Sequence, residues 1–286
     1  MKILCDIETT DINSYMENKT DGLILYLKDY SVGSNIYFDL EQITKIVTSY
    51  DKDFFISINK NMFNNDLIAL EEILISLSKL PIKGVLFYDM SVLEIKRKNN
   101  LDINLVWSQE HMTTNYNTCN YYYDRGATYS YLSSEITLDE IIEIKEKSKT
   151  IPLVLVVGKN FVAHSRRKLI TNYYTDLKED GKDNLEILEK VSNDIYTVTE
   201  DKNGSSFSLN KIMNGTSIIK ELFDKDFPYI ILKENGIEKD QFLELISDTK
   251  DYINSNCSST KYIDKYKSLL GEYTGFLFKK TIYKVK

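Results

Sequence analysis

Short apolar runs recur along the chain at residues 2–7, 22–28, 53–59, 84–88, 103–108, 127–132, 152–157 and 228–232. Each has the length of a strand rather than of a helix. Segments with helical spacing lie between them: Leu67, Leu70, Leu74 and Leu77 fall on one helix face. Thr137-Leu138-Asp139-Glu140 is a capping box ahead of Ile141, Ile142 and Ile144, and Phe242, Leu245, Ile246, Tyr252 and Ile253 mark a later helix. Eight strands alternating with single helices predict right-handed parallel crossovers, and hence an α/β fold of the TIM-type (β/α)8 barrel class.

The pattern is irregular in three places. Only about a dozen residues separate the first two strands, so the first helix is expected to be vestigial. Residues 195–208 carry an Asn203-Gly204 turn between two β-prone runs, which predicts a small hairpin insertion before the last unit. Residues 255–286 read as a C-terminal helix followed by a strand from Tyr273 onward, lying outside the ring. Nothing marks a second domain, so residues 1–286 are expected to form a single barrel.

Composition narrows the function classes. The 286 residues suit a barrel, which typically needs about 250. Three cysteines at 5, 119 and 257, with no CxxC pair, predict neither disulfides nor a zinc signature, but reduced thiols in a cytoplasm. The longest apolar run, 151–157, is far too short to cross a membrane. With 36 basic and 43 acidic residues, the net charge of −7 weighs against broad capture of nucleic acid but leaves room for a local basic patch.

In such barrels the chemistry gathers where strands end and βα loops begin. The polar residues expected there are Asp6, Glu8, Asn59, Asp89, Glu110, His111, Glu135, the run from His164 to Lys168, Lys233 and Glu234. The densest cluster is residues 158–168, read as a glycine-started loop entering a helix whose first turn carries Arg166, Arg167 and Lys168. Cations at that end suggest an anion bound by helix N–H groups and an arginine fork; the alternative is a solvated basic turn paired with local acids. His111, Glu135 and His164 have the ligand types for a metal, though without a local ligand motif. Glu135, His164 and Ser165 are the candidate catalytic groups. The tyrosines from 115 to 131 lack interleaved cations and read as half-buried faces.

Residues 158–173, Gly-Lys-Asn-Phe-Val-Ala-His-Ser-Arg-Arg-Lys-Leu-Ile-Thr-Asn-Tyr, resemble the signature of the collagenase-like peptidase family U32, G-x-x-C-x-[AS]-Y-S-G-R-C-x-x-S-N-Y. Gly158, Ala163, Ser165, Arg167, Asn172 and Tyr173 match it. Asn59, Asp89, the stretch 108–115, Glu135 and Lys233-Glu234 follow in the family's order, so the resemblance spans roughly residues 20 to 255. It implies a barrel and a formal peptidase assignment. It also implies kinship with enzymes that hydroxylate RNA or quinone precursors using a cysteine-bound iron–sulfur cluster. Phe161 and Lys168 stand where the signature has its cysteines, so no cofactor is expected and an iron–sulfur cluster least of all.

Three functions are consistent with these residues. The first is a cluster-free barrel that binds an anionic small molecule or RNA segment and assists RNA modification, paired with a cluster-bearing protein of the same family. Its binding set would be Asn59, Asp89, Glu110, His111, Arg166, Arg167, Asn172, Lys233 and Glu234. The second is a hydrolase with a metal or carboxylate site, and the third is a non-catalytic partner subunit.

Overall fold

The computed structural model describes residues 1–109, 112–181, 184–254 and 258–279. Its strands are β1 (Lys2–Asp6), β2 (Gly22–Tyr26), β3 (Asp53–Ile58), β4 (Gly84–Phe87), β5 (Leu105–Ser108), β6 (Tyr129–Tyr131), β7 (Ile151–Ser165), β8 (Asn184–Leu188), β9 (Ile195–Asp201), β10 (Gly204–Asn214) and β11 (Tyr229–Lys233). The helices are α1 (Asn13–Met16), α2 (Leu40–Ser49), α3 (Leu67–Leu77), α4 (Ser91–Asn99), α5 (Tyr116–Tyr123), α6 (Leu138–Lys147), α7 (Leu169–Leu177), α8 (Ile219–Asp224), α9 (Lys239–Ile253) and α10 (Ser259–Leu270). Strands β1 to β7 pair in parallel in chain order, and β11 closes the ring between β7 and β1. The eight expected strands are therefore the eight staves of a TIM-type barrel.

Alternation along each strand divides the core into two layers. Leu4, Ile24, Phe55, Leu86, Val106, Leu153 and Ile231 fill the barrel interior, while their neighbours face the helices. At the amino end of the barrel, Phe55 meets Tyr129 and Tyr229 edge-on at 5.5 and 5.6 Å. The Tyr229 hydroxyl donates to Asp53 Oδ2 at 2.6 Å, so the polar tip of this aromatic plug is satisfied. On the outside, Leu70, Leu74 and Leu77 are the buried face of α3. The capping box of α6 forms as predicted: the Thr137 side chain accepts from the Glu140 N–H, and Glu140 accepts from the Thr137 N–H at 2.7 Å. The first helix, α1, is a single turn.

The hairpin insertion is present, with Gly204 opposite Asp201, but it is larger than expected. β8 adds a third strand, and β10 pairs antiparallel with β7 from Ser165 back to Val157. This pairing corrects the reading of residues 158–168. They are not a loop entering a helix; β7 runs on to Ser165, because β10 supplies the backbone partners that a βα loop would lack, and α7 starts only at Leu169. A second correction concerns the tail. Residues 273–279 form turns, not a strand, with the Tyr273 and Leu277 carbonyls accepting from the N–H groups of Asn214 and Leu138; residues 280–286 lie outside the described residues.

Gly158 sits where β7 passes from the barrel to the hairpin. Its φ is +139°, and a Cβ there would lie 2.4 Å from Lys233 Cβ. Gly158→Ala is expected to destabilise the protein by about 1–3 kcal/mol, read as a lower urea midpoint; an unchanged midpoint would show that the joint is not strained.

Candidate functional site at the carboxyl end of the barrel

The carboxyl ends of β1, β2 and β11 bring a buried polar network together. Asp6 Oδ2 accepts from the Tyr26 hydroxyl at 2.8 Å and lies 3.6 Å from Lys233 Nζ. Burial raises the Asp6 pKa, and the Lys233 cation opposes the rise. The Glu234 carboxylate takes the Tyr15 hydroxyl and the Glu8 N–H, both at 2.7 Å, which ties β11 to α1 and to the loop after β1. Glu8, whose carboxylate accepts from Asn35 Nδ2, is also shifted upward, first by burial and then by Asp6 and Glu234. One lysine thus stands among three carboxyl groups.

The prolonged β7 and its hairpin lie across this end of the barrel. The Phe161 ring packs on Gly33, so closely that a Cβ on that glycine would approach it to 2.4 Å. The Arg166 guanidinium stacks 3.1 Å from the Phe63 ring centroid and donates to the Asn61 carbonyl at 3.2 Å, while Lys202 pairs with Asp29. Beneath this cover is a cavity of about 20 Å³ bordered by Ser108, Tyr131, Ser134, Asn160, Phe161 and Lys233. The space suits a water molecule or the tip of a larger group. Asn160 is buried, and its Oδ1 has no hydrogen-bond partner among the described residues.

The expected site residues separate into groups. Lys233 borders the cavity, whereas Glu234 is engaged by Tyr15 and Glu8. Asn59 accepts from the Val32 N–H and donates to its carbonyl, clamping the loop after β2. Asp89 accepts from the N–H groups of Met62 and Ser91, both at 2.9 Å, and so anchors a loop and the start of α4. Glu135 is exposed, with its N–H donating to Ser133 Oγ. Glu110 and His111 lie outside the described residues, so the metal set of His111, Glu135 and His164 cannot be assembled from them.

His164 and Ser165 are consecutive in a strand and therefore project to opposite faces. His164 Nδ1 is 3.1 Å from the hydroxyl of Ser206, its cross-strand neighbour, and Ser165 Oγ accepts from the Arg167 N–H at 3.2 Å. Arg167, Lys168 and Asn172 are exposed. The helix N-terminus expected to receive an anion already holds one: the Glu200 carboxylate accepts from the Ile170 N–H at 2.8 Å and from Thr171. Any external anion must therefore be met by the arginine and lysine side chains. Tyr15, Tyr26 and Glu200 were not singled out from sequence; only Tyr26 carries a signal, as the last polar tip in the interior-facing series of β2.

A profile of peptidase family U32 matches residues 9–227. The chain belongs to family U32. It is also similar to a tRNA hydroxylation protein P2 of Bacillus subtilis (strain 168), with 28% identity over 300 aligned residues covering 96% of each chain. Among solved structures, the U32 peptidase Mk0906 shares 14% identity over 62% of this chain and 75% of its own, with a TM-score of 0.46. A thiamine phosphate pyrophosphorylase from Pyrococcus furiosus shares 10% over 90% of this chain and 97% of its own, with a TM-score of 0.47.

Set beside the U32 signature, the two cysteine positions are far from equivalent. Phe161 faces the cavity, while Lys168 is the exposed residue preceding α7. Neither offers sulfur. Cys5 and Cys119 are buried on the helix side of the barrel wall, and burial pushes the Cys5 thiol up to about 12. The donor set of the described residues at this end does not fit a thiolate-bound cluster.

Burial lowers the His164 pKa, so the folded protein holds the imidazole neutral where the unfolded chain, with a value of about 6.5, takes up a proton. Stability contributed by His164 is therefore lost as pH falls below that value. Asp6 and Glu8, shifted upward, act in the opposite sense, losing stability as pH rises through their folded values. Urea midpoints of wild type and His164→Gln should differ in their pH dependence between about pH 7.5 and 5.5, the variant losing less stability on acidification. Parallel curves would place His164 in solvent.

Proposed function

We propose that this U32 protein takes part in RNA modification in the cytoplasm, holding an anionic RNA segment against the carboxyl end of its barrel. The observation that carries this reading is its similarity to the Bacillus subtilis tRNA hydroxylation protein over 96% of both chains. The geometry supports it in two ways. Arg167 and Lys168 are exposed beside the cover of the barrel, and Arg166 is fixed by Phe63 and Asn61 at the same edge. Cations in that arrangement suit phosphate groups, and an arginine can grip a phosphate with two N–H bonds.

In this reading the chain binds no iron–sulfur cluster of its own, since Phe161 and Lys168 replace the sulfur ligands. Its part is to bind and orient the RNA, and a cluster-bearing protein of the same family would be its partner. The peptidase assignment then describes ancestry, with no protease-like set among the described residues of the site.

Nucleoside mass spectrometry of transfer RNA from a deletion strain should lack one modified nucleoside. The wild-type gene should restore it, and a gene carrying Arg166→Ala, Arg167→Ala and Lys168→Ala should not. For the purified proteins, the triple variant should bind transfer RNA more weakly, with a salt dependence shallower by about one unit of slope per phosphate contact removed. A complete nucleoside profile in the deletion strain would end the RNA reading.

A further inference from the structure

The largest groove among the described pockets shares no lining residue with the cavity at the barrel end. It has a volume of about 570 Å³ and runs between α7 and the outer sheet, bordered by Tyr173, Tyr174, Leu185, Ile187, Val198 and Phe207. Three of the apolar side chains that line it are exposed: Tyr173 at 55%, Ile187 at 45% and Leu188 at 56%. Exposed apolar side chains gathered along one groove suit a binding face. Beside it, β8 pairs with β9 alone among the described residues, so its other edge offers backbone N–H and C=O groups that no described strand pairs. Neither lysine nor proline within β8 blunts that edge.

Charge selects the occupant. Residues 176–201 hold nine acidic residues against three lysines, and so carry most of the chain's net charge of −7. Nucleic acid is repelled from such a face. A second copy of the chain is also disfavoured, because antiparallel pairing of two β8 strands about their centres would place Glu186 opposite Glu186.

We infer that the groove between α7 and the β8 edge is a docking site for an extended segment of a partner protein whose side chains alternate between apolar and basic. Added as a strand to β8, such a segment pairs the open backbone edge, lays its apolar side chains on Ile187 and Tyr173, and sets its cations among the surrounding carboxylates.

The probe is a labelled peptide of about ten residues that alternates lysine with valine or isoleucine, titrated against the full chain by fluorescence anisotropy. Two controls accompany it, one of the same composition in block order and one with glutamate for lysine. The alternating peptide should bind about tenfold more tightly than either control. Ile187→Lys and Glu186→Lys, both at solvent-facing positions and checked for unchanged melting temperature, should each weaken it about tenfold. Equal binding of all three peptides, or indifference to both variants, would overturn the inference. So would competition by transfer RNA, or a wild-type dimer in light scattering that Ile187→Lys converts to monomer. Binding seen only after deletion of residues 280–286, whose sequence Lys-Thr-Ile-Tyr-Lys-Val-Lys is itself basic and apolar, would assign the groove to the chain's own tail and overturn it equally.

Discussion

Everything at the working end of this barrel depends on one strand having two sets of partners. From Leu153 to Val157, β7 pairs with β11 and closes the ring; from Val157 to Ser165 it pairs with β10 and carries the outer hairpin. A strand continued past the wall of a barrel would expose its backbone edges, and β10 is what makes the continuation tolerable. The joint needs a residue without a side chain, since Lys233 approaches from β11 at that level. Gly158 therefore links the closure of the barrel, the placement of Lys233 and the lie of the cover over the cavity.

The cover explains how a small polar network comes to be buried at the end of a barrel. Lys233 has Asp6 beside it, Glu234 is spoken for by Tyr15 and Glu8, and Phe161 with Gly33 seals one side. A cation with a carboxylate at 3.6 Å in a buried setting is compensated, so it does not by itself call for an anion in the cavity. Arg167 and Lys168, beside the cover, are exposed to solvent, where a cation needs no protein partner. The site is thus polar and balanced inside, and basic at its edge, while the far side of the hairpin is acidic and apolar.

Much of the barrel could be read from sequence because its signals are local. Short apolar runs of strand length mark all eight staves, and the α6 capping box involves residues only three apart. The failures share one cause. Residues 158–165 become strand only because β10 arrives roughly forty residues later, and no local pattern announces a distant partner. The tail from Tyr273 alternates like a strand, yet its first seven residues are claimed by backbone bonds to β10 and α6. Among the candidate site residues, Asn59 and Asp89 stand at strand ends as the fold requires, but their polar atoms are consumed in holding loops. A strand-end position tells where a side chain is, and only the neighbouring loops decide whether it is free to act. Asn160 shows the converse: an ordinary residue in sequence, it borders the cavity with a buried oxygen that has no hydrogen-bond partner among the described residues.

The carboxylate of Glu200 at the head of α7 has a consequence for how the molecule assembles. A nine-residue helix is too short to persist alone in water, and its first turn is satisfied by an acid that belongs to β9. Ser205, from β10, completes the same turn by accepting the Leu169 N–H. The helix therefore has no stable existence until the hairpin has folded back onto β7, a closure over some tens of residues that is slow compared with forming a local turn. The continuation of β7 beyond Val157, the hairpin and α7 therefore share their partners, and are expected to form and open together as one cooperative unit.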